Sequence, residues 1–371
     1  MPPVCPFLYI GPLSSLCQLL LYNTRYRLLG DFIRQVDVRN TDGKEENLLG
    51  VSVQKMFIPS IANTVGTDFT KYKVVKRGQF TYIPDTSRRG DKIGIALLTD
   101  YDEGLVSNIY TVFAVKDENE LLPEYLMLWF SRPEFDRYAR FKSHGSVREI
   151  MDWDEMCKVE LPVPSIEKQR SIVKAYNTIT DRIELKRKIN DNLEAVLAAS
   201  HSKMFFSKDT SEHSKLGELM TFGNGKSRPK TDGPIPVYGG NGVLSYTDHH
   251  NIENAVLIGR VGAYCGSVYL EQGICWVSDN AIFAKSKITK DEFFDYFLLK
   301  RLNLFNHHVG TGQQLLTQEI LNNIEVPKPV TEQIELFNRK ATSIFETIFT
   351  NSREIIRLQE LSDLLLSRLA G

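Results

Sequence analysis

Apolar residues recur at alternating steps of three and four in two long stretches of this chain. In the first, Ile172, Tyr176, Ile179, Ile183, Leu193 and Leu197 keep the spacing, and Lys186 and Asn190 occupy the two steps between. In the second, Phe337, Ala341, Ile344, Ile348, Ile355, Leu358, Leu365 and Leu369 keep it, with Asn351 and Ser362 as polar steps. Such spacing draws one narrow stripe along a helix and predicts a coiled-coil seam. The helices are expected over Ser165 to about Phe206 and Thr331 to about Leu369, within spacer segments 165–207 and 330–371. At 1.5 Å per residue each is on the order of 60 Å long. Ser165 and Thr331 are suited to cap them, with Glu167 and Glu332 near the positive ends. A polar residue in mid-seam lowers stability but fixes register. Two ordinary core helices are the alternative. Helices of this length exceed the typical ~10–14 residues, which favours their packing on each other.

Both helices follow the same extended step. Leu161 to Val173 is LPVPSIEKQRSIV, and Asn323 to Phe337 is NIEVPKPVTEQIELF. Pro162 and Pro164 match Pro327 and Pro329 at an offset of 165, and Lys168-Gln169 matches Glu332-Gln333 at 164, so the second copy is one residue shorter. A strand-rich, Gly-punctuated segment precedes each step, 26–164 and 208–329. These segments echo each other weakly: Leu29-Gly30-Asp31 and Leu216-Gly217-Glu218; Val106-Ser107-Asn108 and Val277-Ser278-Asp279; Pro123-Glu124-Tyr125 and Phe294-Asp295-Tyr296. The pattern predicts an α+β chain of two duplicated β-rich α/β domains, each followed by a long helix. The two helices are expected to pair as an antiparallel coiled coil with pseudo-twofold symmetry, an arrangement suited to two half-sites on a duplex.

Candidate chemistry lies in the globular segments. Residues 71–92 hold Lys71, Lys73, Lys76, Arg77, Arg88, Arg89 and Lys92 against Asp85 and Asp91, seven cations to two acids, with Tyr72, Phe80 and Tyr82 among them. Basic residues with aromatics in strand-rich text fit duplex contact, and a solvated charged face is the alternative. In the second segment Lys226, Arg228 and Lys230 form a basic strip beside Gly223 and Gly225. Arg260, between Gly259 and Gly262, could reach a guanine or a phosphate. The glycines 239, 240 and 242 suit either plain turns or a loop approaching a phosphate or base edge. Before each Pro-x-Pro step stands a Gly-rich piece, with Arg148 in the first and Gln313 and Gln314 in the second. Arg and Gln are base-reading residue types.

Composition narrows the class. The chain has 371 residues, 42% hydrophobic and 25% charged, with formal net charge −1, so any DNA contact must come from local patches. Its five cysteines, odd in number and without a C-x-x-C, fit reduced thiols in a cytoplasmic protein. The apolar first residues place no positive charge before Arg25, and four prolines break them, so residues 1–25 are expected to be a poorly ordered extension rather than a signal or membrane segment. Gly-Lys-Ser at 225–227 fails as a P-loop because Met220 stands where the pattern needs Gly. The two His-His pairs lack metal-ligand spacing, and no nucleophile elbow, dinucleotide loop or amino-methyltransferase tetrad occurs. No catalytic residue, metal site or cofactor site is expected in this chain.

The Leu161–Val173 step, its continuation DRIELKRKINDNLEAV (Asp181 to Val196) and the strings IPVYGGNG, GRVGAYCG and WVSDNAI resemble the specificity subunits of type I restriction–modification systems. The resemblance implies two target-recognition domains, each reading half of a bipartite double-stranded DNA target. It implies that the helices set the gap and dock two methylation subunits, with restriction subunits joining them. S-adenosylmethionine, ATP and Mg²⁺ then belong to the partners. The chain departs from the pattern in its N-terminal extension and in the shortened second copy. A specificity region of a fused restriction or methyltransferase enzyme, and a coiled-coil adaptor without DNA contact, are the competing readings.

Overall fold

The computed structural model describes residues 25–61, 66–86, 92–144, 149–207, 212–310 and 312–370. The expected N-terminal extension lies outside them, as do Arg88, Arg89 and Arg148. The chain divides into two compact units. Unit 1 runs to Glu184 and takes in the chain again from Ile356, and unit 2 is Leu185–Ile355, so the division falls in the middle of both long helices.

Unit 1 runs β1 (Tyr26–Leu28), β2 (Ile33–Val36), β3 (Leu49–Val51), β4 (Phe57–Pro59), β5 (Lys73–Lys76), β6 (Phe80–Tyr82), β7 (Ile95–Leu97), β8 (Glu103–Val106), β9 (Thr111–Val115), α1 (Pro123–Phe130), α2 (Pro133–Lys142), α3 (Trp153–Cys157), β10 (Glu160–Pro162) and the start of α4 (Ile166–Phe205). Its central sheet has the antiparallel order β2-β9-β6-β7. Phe80 stacks on Phe113 across that sheet at 4.8 Å, and Phe130 of α1 meets both edge-on. These rings are fully buried. Pro123 opens α1, where its fixed φ suits the first turn and its missing N–H costs nothing.

Unit 2 holds the rest of α4, then β11 (His213–Lys215), α5 (Leu216–Leu219), β12 (Met220–Asn224), β13 (Ile235–Gly239), β14 (Gly242–Thr247), β15 (Ile252–Gly259), β16 (Val268–Val277), β17 (Ala281–Ser286), α6 (Phe293–Arg301), α7 (Gln318–Asn323), β18 (Glu325–Pro327) and most of α8 (Thr331–Ser367). Its sheet runs β12-β17-β15-β16-β13-β14. The first four strands repeat the unit 1 order. The β13–β14 hairpin is an addition at the edge, joined to β16 in parallel.

Matched hydrogen bonds show why the weak sequence echoes exist. The Leu29 amide donates to Val159 O at 2.7 Å, and the Leu216 amide to Ile324 O at 2.9 Å. A Cβ on Gly30 would lie 2.9 Å from that of Cys157, and one on Gly217 would lie 3.1 Å from that of Asn322. Glycine fits both places because a Cβ would press on the facing residue, Cys157 in one unit and the Asn322 side chain in the other. Tyr110 N donates to Ser107 O and Ala281 N to Ser278 O, both at 3.0 Å, so the second echo is one turn leading into β9 and β17. The third echo falls in α1 and α6.

The seam residues are buried or half-buried. Ile172, Ile179, Ile183, Phe337 and Ile355 are buried, and Tyr176, Leu193, Ile344 and Ile348 are partly so. Within unit 2 the helices run antiparallel: Lys186 meets Asn351 and Glu354, Asn190 meets Ile348 and Ser352, and Phe205 meets Phe337. The polar steps of the two stripes find each other. Lys186 Nζ donates to Asn351 Oδ1 at 2.9 Å, and Asn351 Nδ2 donates to Asn190 Oδ1 at 2.9 Å. Misaligned polar steps would be buried without partners, so this layer selects one register.

One matched pair separates. Gln169 is buried, accepts from Leu122 N at 2.8 Å and donates to Glu120 O, which secures the start of α1. Its sequence match Gln333 is exposed. Asn338 takes the role instead, accepting from Phe294 N at 2.9 Å and donating to Asp291 O, at the start of α6.

Candidate nucleic-acid interface

In unit 2 five chain segments converge at one end of the sheet. Gly225 N donates to Ala281 O and Lys226 N to Val277 O, which brings the basic strip beside the β16–β17 turn. Ser278 N donates to Tyr238 O, placing the Gly240-Asn241 tip of the β13–β14 hairpin against the same turn. The segment after β15 joins through Arg260 N, which donates to Asn280 O at 3.0 Å. The fifth is the 309–315 loop, closed by paired amide bonds between Val309 and Leu315. It docks through Leu316 N to Arg260 O at 2.9 Å and Gly262 N to Gln314 O at 3.0 Å.

Two details stiffen the cluster. The Ser267 hydroxyl donates to Gly240 O at 2.5 Å, tying hairpin tip to turn. The Cys265 thiol donates to Arg260 O at 3.4 Å, and burial raises its pKa, which keeps that proton in place.

Arg260, Lys226 and Gln314 therefore come together. Arg260 is half-buried, its Nε lacks a partner, and Nη1 reaches Asp279 O only at 3.5 Å, so its guanidinium keeps donors for a ligand. Lys226 and Gln313 are exposed. Arg228 and Lys230 are exposed as well, on an irregular segment that leaves the cluster and reaches Thr231, whose hydroxyl lies 2.9 Å from that of Thr247 at the far end of β14. Asn241, Tyr264 and Asn280 also stand exposed in the cluster. Sequence reading did not select them, because only the folded backbone puts them beside Arg260.

Unit 1 repeats the docking pattern. Met151 N donates to Pro84 O and Thr86 N to Glu149 O, both at 3.0 Å, and His144 and Ile150 close their loop with paired amide bonds. Pro84 and Thr86 thus stand where Arg260 and Gly262 stand in unit 2. Residues 87–91 and 145–148, with Arg88, Arg89 and Arg148, connect the framed positions and are outside the described residues. Lys92 is exposed where the chain returns.

Two expected cations are placed otherwise. Lys73 is buried, with Nζ on Tyr110 O at 2.8 Å and 4.0 Å from Asp37, and burial lowers its pKa. Its ammonium is engaged with that carbonyl and helps secure β5. Arg77 lies in the β5–β6 turn, at the end of β6 away from Pro84. It holds Asp102 through Nε and Nη2 at 3.1 Å and Thr99 O through Nη1.

Among the described residues no group of three or more His, Cys, Asp or Glu could hold a metal, and no helix is long and apolar enough to cross a membrane.

Comparison with known proteins agrees with this duplicated frame. Residues 32–195 and 208–364 each match the family described as type I restriction modification DNA specificity domain. The type I restriction enzyme MjaIX specificity subunit of Methanocaldococcus jannaschii is 21% identical over 299 residues, 67% of this chain and 68% of that protein. The HindI specificity subunit of Haemophilus influenzae is 24% identical over 188 residues, 49% of this chain and 40% of that protein. A crystal structure of a type I restriction–modification S subunit from M. genitalium superposes with a TM-score of 0.63 at 17% identity, covering 95% of this chain and 98% of that one. At that identity the likeness is one of fold.

Proposed function

Since the chain belongs to the type I restriction modification DNA specificity family, we propose that it is the subunit that gives such a complex its DNA sequence. The recognition domains, 26–164 and 208–329, each read one half of a bipartite duplex target. The paired helices set the gap between the halves and dock two methylation subunits, to which restriction subunits add. The chain does no chemistry of its own: S-adenosylmethionine, ATP and Mg²⁺ serve the partners, in the cytoplasm where the DNA is. The observation that carries this reading is the shared backbone frame, which presents the 260–267 and 309–315 loops in unit 2 and brackets 87–91 and 145–148 in unit 1.

In this reading side chains divide by task. Lys226, Arg228 and Lys230 track phosphates, and Arg260, Gln313 and Gln314 face base edges, with Asn241 and Asn280 beside them. Arg88, Arg89, Lys92 and Arg148 serve the other half-site.

Titration of the chain, alone and with its methylation subunits, against target and scrambled duplexes tests the reading. The assembled complex should prefer its target by 10³-fold or more at physiological salt. Lys226→Ala should weaken all duplexes alike and reduce the salt slope by about one. Arg260→Ala should weaken only the target, by about 1–3 kcal/mol. Equal affinity for every duplex would contradict the reading, duplex binding by the assembled complex that neither variant changes would favour the adaptor, and methylation or cleavage by the isolated chain the fused-enzyme reading.

A further inference from the structure

Unit 1 has a cavity of about 500 Å³ that the DNA reading leaves unused. It is bounded by Tyr26 of β1, Trp129 at the end of α1, Arg132 between α1 and α2, Tyr138 of α2, and the Lys158–Glu160 segment. Strand direction separates it from the DNA-facing loops. β2 and β6 are both antiparallel to β9, so they run the same way. β6 ends at Tyr82 and leads to Pro84, whereas β1 leads into the start of β2. The Tyr26 side of the cavity therefore lies at the opposite end of the sheet.

Arg132 is the unusual member. Its side chain is only 6% exposed, and its guanidinium lies over the Trp129 ring at 4.1 Å. Its Nε is buried without a hydrogen-bond partner. The nearest carboxylate, Glu134, stays at 3.7 Å and is bonded to Arg137 at 3.1 Å. A buried guanidinium carries a large desolvation cost that hydrogen-bonded oxygens must offset. A carboxylate would supply them in a bidentate pair.

The surroundings say which carboxylate. Buried or clustered Trp, Tyr and Arg are the residues that dominate binding energy between proteins, and here they are Trp129, Tyr26, Tyr138 and Arg132. Phe141, three residues beyond Tyr138 on α2, is 80% exposed, which extends the apolar surface outside the cavity. Charge argues against a nucleic acid. The lining cations Arg132, Lys142 and Lys158 face Glu134 and Glu160, and Lys158 is already bound to Glu155 at 2.7 Å. With Glu155 counted, three cations meet three carboxylates, which leaves no surplus for a polyanionic backbone, while the Arg132 guanidinium still lacks a hydrogen-bonded carboxylate.

We propose that this cavity anchors a polypeptide partner, receiving a carboxylate, of an Asp or Glu side chain or a C-terminus, on Arg132 between the rings of Tyr26, Trp129 and Tyr138. The proposal rests on the reading of the chain as a subunit that assembles with methylation subunits, which are the partner to test.

The test measures assembly of the full chain with those subunits, for wild type, Arg132→Met and Tyr138→Ala, together with the melting of each chain alone. Arg132→Met keeps the stem that packs on Trp129 and removes the buried charge, so it should melt no lower than wild type. Tyr138→Ala, at a half-buried position, supplies the answer if Arg132→Met fails to fold. Each variant should assemble at least tenfold more weakly, and for Arg132→Met the salt dependence of assembly should fall. Wild-type assembly matched by both folded variants would overturn the pocket and leave the subunit reading standing. Normal assembly with weakened duplex binding would also overturn it, in favour of a DNA phosphate. Failure of the wild-type chain to assemble would remove the subunit reading, and the pocket's partner with it.

Discussion

Alanine in place of Gly259 is expected to destabilise unit 2 by about 3 kcal/mol and to erase recognition of one half-site. A Cβ there would overlap the Tyr264 carbonyl oxygen and the Ser267 hydroxyl, and lie 2.9 Å from Gly240 O. Two of these three are backbone oxygens, which cannot swing aside as a side-chain tip can. The turn would have to open, and with it the reciprocal bonds of Gly259 N to Ser267 O and Gly266 N to Gly259 O, both 2.8 Å. Arg260 would then lose its fixed place beside Asn280 and Gln314. Unit 1, which shares no part of this turn, should read its half as before. A melting curve should show the unit 2 transition lowered by roughly 6–12 °C for a domain of this size. Gly312→Ala is the control, since among the described residues no atom beyond its chain neighbours lies within 4 Å of its added methyl. It should leave the melting of unit 2 within about 2 °C of wild type, because surface changes of this kind stay within about ±0.5 kcal/mol.

A second large effect concerns pH. His201 of α4 is buried among the rings of Phe205, Phe294 and Phe337, its Nε2 unpartnered. Burial, with some help from Arg301, pushes its pKa down to about 3. Asp295 of α6 is buried with one oxygen unpartnered, and burial, opposed by a bond from Ser286 and reinforced by Glu292, pushes its pKa up to about 7. The signs oppose. Unfolding lets His201 take up a proton between pH 6.5 and 3, so its contribution is whole above pH 6.5 and falls away as pH drops through that window. Folded Asp295 holds a proton that the unfolded chain releases, so its contribution is whole below pH 3.8 and is lost as pH rises towards 7. Each effect is on the order of 4–5 kcal/mol. The wild-type stability of unit 2 should therefore look flat between pH 4 and 6.5, and each substitution should expose the other slope. Asp295→Asn should match wild type at pH 4 and exceed it at pH 8. His201→Phe should match wild type at pH 8 and exceed it near pH 4. Denaturant unfolding at several pH values reads both, and parallel pH profiles for wild type and the two variants would refute the assignment.

The parts legible in sequence were those written in side-chain periodicity. Ile172, Ile179 and Ile183 announced one helix, and Phe337, Ile344 and Ile355 the other, because a seam repeats every few residues. The Pro-x-Pro steps marked where each helix begins. The pairing of Lys186, Asn190 and Asn351 was visible only as interruptions of the stripe, and needed the register to become a network. The interface was less legible because its frame is made of backbone. Pro84 and Arg260 offer the same carbonyl to the same kind of loop, and as side chains they have nothing in common. Asn241 and Asn280 are distant in sequence and look like ordinary turn residues. The burial of Lys73 was not legible, because a lysine stem packs inside a sheet while its ammonium finds a carbonyl only once the strands are paired. Arg132 gave no signal at all, since its burial against Trp129 comes from the bend between two helices.

The central claim is that one chain reads two half-sites with two separate units. Mapping methylated adenines across the genome of cells that express the chain with its methylation subunits tests it most directly. The expected result is a motif of two defined halves, separated by a fixed number of undefined bases, with Gly259→Ala relaxing one half and sparing the other. A single continuous motif, or loss of both halves together in that variant with assembly intact, would contradict it.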